Sequence, residues 1–332
     1  MPKVSIIVPN YNYARFLDQR LSSIERQTYR DFEVILLDDA SSDDSVQVLE
    51  RFARRHQCRL VCNDDNSGSA FKQWNKGLRL AVGEYTWIAE ADDYAADRFL
   101  EVMVGRLDQN PRCGVAHCNS VRVDTEGNVM GLVSPISHLM YDVDPDRWQH
   151  DFVADGREEC VRFLLRENTI LNASAVVFRR RLRDCAAEAD ESLSLAADWK
   201  LWVSLLCISD LAFVAEPLNY FRTHKKSIRS RTPLWTEITE NLRVMNHVVD
   251  RIDVPRDALE KLHARLAIVL LHAYITQPPS PPDLLRVRKL TSNLDFGFST
   301  RAAVGFARLC LQAVGRRLSG ARRNEAVLRS AK

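Results

Sequence analysis

Glycine and proline are scarce in this sequence, and long apolar runs are missing. The 332 residues include 12 Gly and 12 Pro, which excludes a collagen-like, linker-like or largely disordered chain. No window of roughly 18 apolar residues occurs, so no transmembrane helix is predicted. The chain opens instead on a short apolar run, Val4–Val8, which is typical of a strand rather than of a signal peptide. We therefore expect a globular, cytoplasmic protein with one large or two medium domains.

Motifs that mark several common enzyme classes are also missing. No G-x-G-x-x-G follows the first apolar run, where Pro9-Asn10-Tyr11 stands instead, so a dinucleotide-binding dehydrogenase is disfavoured. The absence of G-x-x-x-x-G-K-[ST] excludes a P-loop NTPase, and neither H-E-x-x-H nor G-x-S-x-G is present. The close cysteine pairs Cys58/Cys62 and Cys113/Cys118 lack the spacing of a metal knuckle. We interpret the eight cysteines as buried, reduced thiols.

Neither sign of charge predominates over the whole chain, but the end of the chain is strongly basic. Lys and Arg number 46 against 44 Asp and Glu, a formal charge of +2, which disfavours a protein that coats nucleic acid. Residues 301–332 carry +7 and residues 1–300 carry −5. Apolar residues at 302–318 alternate with arginines, which is compatible with a basic amphipathic helix on the inner face of an anionic membrane. A helix packed on the body with a solvated basic rim, or a frayed terminus, is the alternative.

Short apolar strands alternate with amphipathic helices through the first hundred residues. Strands are predicted at 4–8, 32–37, 59–62 and 84–89, with helices between them and at 99–107. This alternation implies parallel strands joined by right-handed crossovers, and the wholly apolar strands fit a sheet covered on both faces. The first half is therefore predicted to be a doubly wound α/β structure.

The remainder of the chain is less regular. A hairpin is predicted over Cys113–Val123 and Val129–Val133, further strands over Ser174–Arg179 and Leu218–Arg222, and a helix over Trp199–Ile208. Residues 135–155 show no periodicity, which predicts a long loop. From Trp235 the pattern is helical, with an interruption at 278–282.

Polar clusters follow each of the four predicted parallel strands. They are Pro9–Asn12, Asp38-Asp39, Asn66–Gly68 and Glu90–Asp93. Sheets of this class bind ligands at the carboxyl ends of their strands, so four such clusters together predict a site.

The acidic clusters allow two interpretations on the residues alone. Carboxylates on a turn after a strand, such as Glu90-Ala91-Asp92-Asp93, can converge on a hard divalent cation whose shell a diphosphate completes. The alternative is that these residues, and likewise Asp38-Asp39 and Asp198, cap the helices that follow them.

Five segments, taken in their order and spacing, resemble the motifs of a known family. Val4–Asn12, Phe32–Asp44, Asn66–Gly77, Gly83–Asp93 and Ala197-Asp198-Trp199 resemble family 2 glycosyltransferases of the GT-A fold, over about residues 1–230. The resemblance implies an inverting transfer of a sugar from a nucleotide diphosphate sugar to a hydroxyl. It also implies a GT-A domain over 1–232, with a nucleotide-sugar half at 1–110 and an acceptor half at 111–232. A helical extension with the basic tail would occupy 233–332.

The resemblance assigns the donor-binding residues. Pro9 and Tyr11 would line the base pocket, with the Tyr11 ring on the nucleobase. Asp39 would bond the edge of the base, with Asp38 beside it. Lys72 and Asn75, in the third segment, are assigned to donor binding as well.

The resemblance also assigns the residues near the transferred sugar. Glu90-Ala91-Asp92 occupies the Asp-x-Asp position, although Glu replaces the usual first Asp. Asp92 would bind Mn²⁺ or Mg²⁺ and the diphosphate, Glu90 the ribose or a metal-bound water, and Asp93 the sugar. Asp198 would be the general base. His224 would approach the metal or the diphosphate, with a solvated loop histidine as the alternative.

Two other functions remain open at this stage. A nucleotidyltransferase also holds a diphosphate with a metal, and a non-catalytic sugar-nucleotide-binding protein would explain the replacement at Glu90. The acceptor is expected to be a glycan or a lipid-linked glycan of bacterial surface polysaccharide or lipopolysaccharide assembly. The loop at 135–155 and the segment Asn168–Ser174 would shape its pocket.

Overall fold

The computed structural model describes residues 1–133, 144, 146–182, 188–224 and 231–294. The predicted tail helix at 302–318 lies outside this part of the chain, as do residues 135–143 and 145 of the predicted loop at 135–155. The described remainder of that loop is not wholly irregular, because it contains a 3-10 helix, Arg147–Gln149, and a short strand, Phe152–Ala154, which pairs with a strand about 60 residues later in the chain. The first half contains β1 (Val4–Asn10), α1 (Ala14–Glu25), β2 (Phe32–Asp38), α2 (Ser45–His56), β3 (Arg59–Cys62), α3 (Ala70–Leu80), β4 (Tyr85–Ile88), β5 (Tyr94–Ala95) and α4 (Phe99–Gln109).

The second half begins with a hairpin and ends in helices. It contains β6 (Cys113–Val123), β7 (Val129–Leu132), β8 (Phe152–Ala154), α5 (Gly156–Glu159), β9 (Val176–Arg179), α6 (Ala197–Leu206), β10 (Asp210–Arg222), α7 (Leu234–Val249), α8 (Arg256–Thr276) and α9 (Pro281–Asn293). The hairpin of β6 and β7 and the break between α8 and α9 confirm the predictions for these segments. Within the described ranges, no helix is long and apolar enough to cross a bilayer.

The strands form one mixed sheet in the described part of the chain. Its order is β3-β2-β1-β4-β9-β6-β10-β5, with β7 on β6 and β8 on β10. The pairs β1–β2, β1–β4, β2–β3 and β6–β10 are parallel. Strand β9 runs antiparallel between β4 and β6 and so joins the two halves.

Both faces of this sheet are covered, as the apolar strands predicted. Along β1, alternate side chains enter different cores, because successive residues of a strand face opposite ways. Ile7 packs with α3 and α6 on one face, whereas Ile6 and Val8 pack with α1 and α4 on the other. Gly77 lets α3 lie close to β1, since a Cβ there would be 2.3 Å from Ile7 Cγ2.

The cysteine expectation holds only in part. Four of the described cysteines are buried, but Cys58 is half-buried and Cys62 is exposed at the end of β3. No disulfide joins the six cysteines within the described ranges. The reason for the error is that β3 lies at the edge of the sheet, where one side of the strand faces solvent.

Candidate functional site

The acidic turn after β4 is held at its backbone from two sides. Glu90 N donates to Ser174 Oγ at 3.0 Å, and the Glu90 carbonyl accepts from Arg20 Nε at 2.8 Å. Arg20 Nη2 also donates to Ser174 Oγ, at 3.1 Å. Three residues distant in sequence therefore form a closed network around the peptide that leads into Asp92.

The Glu90 carboxyl is engaged inside the protein. Trp74 Nε1 donates to Glu90 Oε1 at 2.6 Å. Burial, and then the charge of Asp92, raises the pKa of Glu90 to about 8. In the metal-free protein this side chain is therefore mostly protonated at neutral pH.

Asp93 is a buried carboxyl with two protein donors. Its Oδ1 accepts from the backbone N of Arg222 at 2.9 Å, and its Oδ2 accepts from Asn172 Nδ2 at 2.9 Å. Burial and the neighbouring Asp92 raise the pKa of Asp93 to about 6. The turn is thereby tied both to the end of β10 and to the segment before β9.

Asp92 and His224 meet directly. His224 Nε2 lies 2.9 Å from Asp92 Oδ2 and 3.4 Å from the hydroxyl of Tyr13. His224 is nearly buried at its side chain, while Asp92 is partly open to solvent. The alternative of a solvated loop histidine is therefore wrong, and the structure brings the two predicted metal ligands together.

Arg20 is a residue of this site that the sequence reasoning missed. It lies on the apolar face of α1 between Leu17 and Leu21 and is fully buried. Burial lowers the pKa of Arg20 to about 10, against the opposing influence of Asp93, Asp92 and Glu90. Among the residues that the structure describes, its Nη1 has no hydrogen-bond partner. A cation placed among apolar positions of a helix was the available sequence signal.

Arg222 is a second cation around the acidic turn. Its Nε donates to the Asp92 carbonyl at 2.8 Å, and its Nη1 donates to the Asp124 carbonyl at 2.7 Å. Nη2 donates to Gln19 Oε1. The guanidinium thus fixes the end of β10, which carries His224, against the turn and α1.

Asp38 connects the loops that follow β1 and β2. Its Oδ1 accepts from Asn10 Nδ2 and Ser41 Oγ, both at 2.7 Å, and its Oδ2 accepts from Ser41 N at 2.8 Å. The capping alternative is wrong for Asp38 and Asp39, because α2 begins at Ser45 and its N-cap is Asp44.

Asp39 accepts hydrogen bonds from the loop after β3 and from the helix that follows it. Its Oδ1 accepts from Asn63 Nδ2 at 2.6 Å, Gln73 Nε2 at 2.8 Å and Ser67 N at 2.9 Å. Its Oδ2 accepts from Ser67 Oγ at 2.8 Å. The carboxylate that was assigned to the nucleobase is thus satisfied by the protein in this structure.

The other predicted donor residues differ in exposure. Pro9 lies within buried β1, and Tyr11, 45% exposed, stands in the loop that follows it. Lys72 is exposed and donates to the Ser67 carbonyl at 3.0 Å. Asn75 is buried and exchanges two hydrogen bonds with the backbone of Ala189. Asn75 therefore holds the segment before α6 in place and does not face an open surface.

Asp198 lies in the first turn of α6 and is linked to the acidic turn. Its Oδ2 is 3.4 Å from Asn168 Nδ2, and its Oδ1 accepts from Trp199 N at 2.6 Å. Asn168 and Asn172 belong to one segment, whose other end holds Asp93. The N-cap of α6 is Ala196, so Asp198 is not the capping residue. The helix dipole favours the charged carboxylate here.

The side chains of Asp92 and His224 suit a divalent cation whose coordination shell is completed by a bound substrate. Within the described ranges, no three His, Cys, Asp or Glu side chains form a preformed metal centre. One carboxylate and one imidazole converge at Asp92 and His224. Mg²⁺ and similar ions are often held by one or two protein ligands together with phosphates of the substrate, so these residues fit that mode of binding.

Comparison with known proteins identifies the family. The model of the family described as "Glycosyl transferase family 2" matches residues 5–182, which is more than half of the chain. This chain belongs to glycosyltransferase family 2. The resemblance read from the five sequence segments is thereby confirmed.

Curated relatives of this family 2 member are distant. An uncharacterized glycosyltransferase of Haemophilus influenzae is 33% identical over 142 residues, which are 42% of this chain and 56% of that protein. The glycosyltransferase GlyG of Streptococcus pneumoniae is 31% identical over 106 residues, 32% of this chain and 35% of GlyG. The matches thus span about half or less of the length of these relatives.

Solved structures confirm the GT-A fold of this family 2 member. Residues 1–349 of Staphylococcus aureus TarS, in complex with UDP-GlcNAc, align with a TM-score of 0.64 and 19% identity, covering 88% of this chain and 80% of that one. The mannosyltransferase PcManGT of Pyrobaculum calidifontis, in complex with GDP-Man and Mn²⁺, aligns with a TM-score of 0.55 and 18% identity, covering 96% and 80%.

Proposed function

We propose that this protein is a metal-dependent inverting glycosyltransferase. It moves a sugar from a nucleotide diphosphate sugar to a hydroxyl of a glycan or lipid-linked acceptor in cell-surface polysaccharide or lipopolysaccharide synthesis. The observation that carries the proposal is the linkage of Asp92 and His224, through Asp93 and the segment 168–172, to the carboxylate of Asp198. The nucleotide sugars bound to TarS and PcManGT support the donor class.

Asp198 supplies the base that such a reaction needs. A sugar hydroxyl is a poor nucleophile at neutral pH, so a positioned carboxylate must accept its proton as the hydroxyl attacks. Asn168 and the N-terminal turn of α6 orient Asp198 for that proton transfer. With a cation to stabilise the leaving group, a single displacement needs this one base and no covalent nucleophile, and it inverts the configuration of the transferred carbon.

Asp92 and His224 hold the cation and the leaving group in this proposal. A divalent cation bound by them would offset the negative charge that develops on the departing nucleoside diphosphate. Arg20 and Arg222 keep the turn of Asp92 in place through its backbone. Pro9 and Tyr11, at the end of β1, face the nucleoside, with the Tyr11 ring available for stacking on the base.

The surroundings of Glu90 weaken the case for a non-catalytic binding protein. That alternative depended on the replacement of an Asp by Glu90. The Glu90 carboxyl accepts a hydrogen bond from the Trp74 indole, so the longer side chain has a structural use. The replacement therefore no longer argues against catalysis.

The release of free nucleoside diphosphate separates the three functions. We expect release from one member of a panel of UDP-, GDP- and dTDP-sugars, in the presence of Mn²⁺ and with acceptor stimulation. Release of pyrophosphate from a nucleoside triphosphate and a sugar phosphate would instead show a nucleotidyltransferase. Donor binding without release under any condition would show a binding protein.

A further inference from the structure

Four apolar side chains are exposed at one end of the C-terminal helices. They are Tyr274, Ile275, Leu284 and Leu285, with 56%, 70%, 47% and 69% of their surface exposed. The four side chains flank one turn, and apolar groups gathered on the surface of a folded protein mark a place that contacts something else. We call these four residues the C-terminal tip. They lie outside the segment that matches the family model.

The tip is attached to the neighbouring helix by a hydrogen bond. Tyr274 and Ile275 end α8, and Leu284 and Leu285 lie in the first turns of α9, so the four residues flank the turn at 277–280. Trp235 Nε1 donates to the Gln277 carbonyl at 2.7 Å and fixes that turn to the start of α7.

The beginning of α9 is also fixed in place. Ser280 and Asp283 form a reciprocal capping box, with proline at the first positions of the helix. Both features stabilise the end of a helix against fraying. The apolar side chains are therefore held outward by the fold.

Positive charges outnumber negative ones beside the tip. Arg288 and Lys289 follow Leu284 and Leu285 by four residues, so they lie on the same faces of α9 one turn further along. Both are exposed, as is Arg286. The one acid in this part of α9, Asp283, accepts hydrogen bonds from Ser280. An apolar end with a cationic collar thus faces solvent.

We propose that the C-terminal tip inserts into the surface of a bilayer that contains anionic lipids. Aliphatic side chains enter the boundary of the acyl region, a tyrosine sits at the level of the headgroups, and nearby arginine and lysine contact lipid phosphates. A second copy of the chain fits less well. An isologous contact would place each cationic collar against its symmetry mate, and lysine is depleted in interface cores.

The test uses the full chain and vesicles of defined composition. Sedimentation is measured with phosphatidylcholine vesicles and with vesicles that contain about one third phosphatidylglycerol. We expect the wild type to bind the anionic vesicles, and the double variant Ile275→Asp/Leu285→Asp to bind at least about tenfold more weakly. The matched control is Ile208→Asp, which changes an apolar residue of 50% exposure in the turn after α6 and should bind as the wild type does.

Other results would overturn the proposal. Equal binding of the wild type and the double variant would assign any affinity to another part of the chain, such as the basic residues 301–332. No binding of the wild type to anionic vesicles would remove the membrane as the partner. In analytical ultracentrifugation, a wild-type dimer that the double variant converts to a monomer would assign the tip to self-association. Because vesicle binding needs no donor, the result does not depend on the proposed reaction.

Discussion

Replacement of the buried Arg20 is expected to loosen the acidic turn on which the proposed chemistry depends. Arg20→Met keeps a long, flexible side chain of helix-forming type but removes the charge and the two hydrogen bonds that the guanidinium donates to the Glu90 carbonyl and to Ser174 Oγ. The turn keeps the bond from Glu90 N to Ser174 Oγ. It also keeps the bond from Arg222 Nε to the Asp92 carbonyl, so it loses one of the three side chains that hold its backbone.

The size of the effect follows from these contacts. A hydrogen bond to a charged group contributes about 1.5–3 kcal/mol, so two bonds set an upper range near 6 kcal/mol. Burying the guanidinium has a cost, visible in the lowered pKa of Arg20, and an apolar side chain recovers part of it. Protonation of Glu90 relieves repulsion among the carboxylates. We expect Arg20→Met to lower the free energy of unfolding by about 3 kcal/mol.

Urea unfolding of the metal-free protein measures this loss. The control is Arg26→Met at the end of the same helix, where an exposed pair with Asp97 at 3.0 Å should contribute less than about 1 kcal/mol. Arg20→Lys, which keeps the charge, should recover part of the stability. If Arg20→Met cost no more than Arg26→Met, the turn would not be held by this guanidinium.

Two further predictions concern acid and metal. His117 is buried in β6, and burial lowers its pKa to about 3; the unfolded chain binds a proton near pH 6.5, so stability falls as the pH drops below that value. The free energy of unfolding is expected to fall by about 2 kcal/mol between pH 7 and 5. In His117→Phe the urea midpoint should change less over that pH range than it does in the wild type. If it changed equally in both proteins, His117 would not be the cause of the loss. Asp92→Ala should weaken donor binding in Mn²⁺ at least tenfold but not in EDTA, by calorimetry; equal affinity of variant and wild type in Mn²⁺ would remove Asp92 as a ligand.

Local sequence patterns predicted the parts of the fold that local forces determine. The runs at β1, β2 and β4 are mostly apolar because both faces of the sheet are covered, and the turn residues between β6 and β7 marked the hairpin. The two-residue strand β5 was not predicted. It exists because Tyr94 and Ala95 pair with β10, more than 120 residues later in the chain, and no local pattern encodes that partner.

The site shows the same division. Acidic and polar residues after consecutive strands indicated which edge of the sheet carries the site, and the resemblance named Asp92, His224 and Asp198. The contacts that hold them were not predicted, because they join distant parts of the chain: the segment Asn168–Ser174 was expected only to shape the acceptor pocket. Ser174 receives the Glu90 backbone N–H across 84 positions, and Asn172 reaches Asp93 across 79. Asp38 and Asp39 were ambiguous for a related reason, since their partners lie in the loops after β1 and β3.

The paired effect of Asp198→Asn on transfer and on donor binding tests the central claim most directly. The substitution keeps the shape of the side chain but removes its ability to accept a proton at neutral pH. We predict that sugar transfer falls about a thousandfold, the middle of the range for loss of a general base, while the calorimetric affinity for the donor in Mn²⁺ stays within about twofold of the wild type. Transfer that persists at wild-type rate, or transfer and donor affinity lost together, would contradict the assignment of Asp198 as the base.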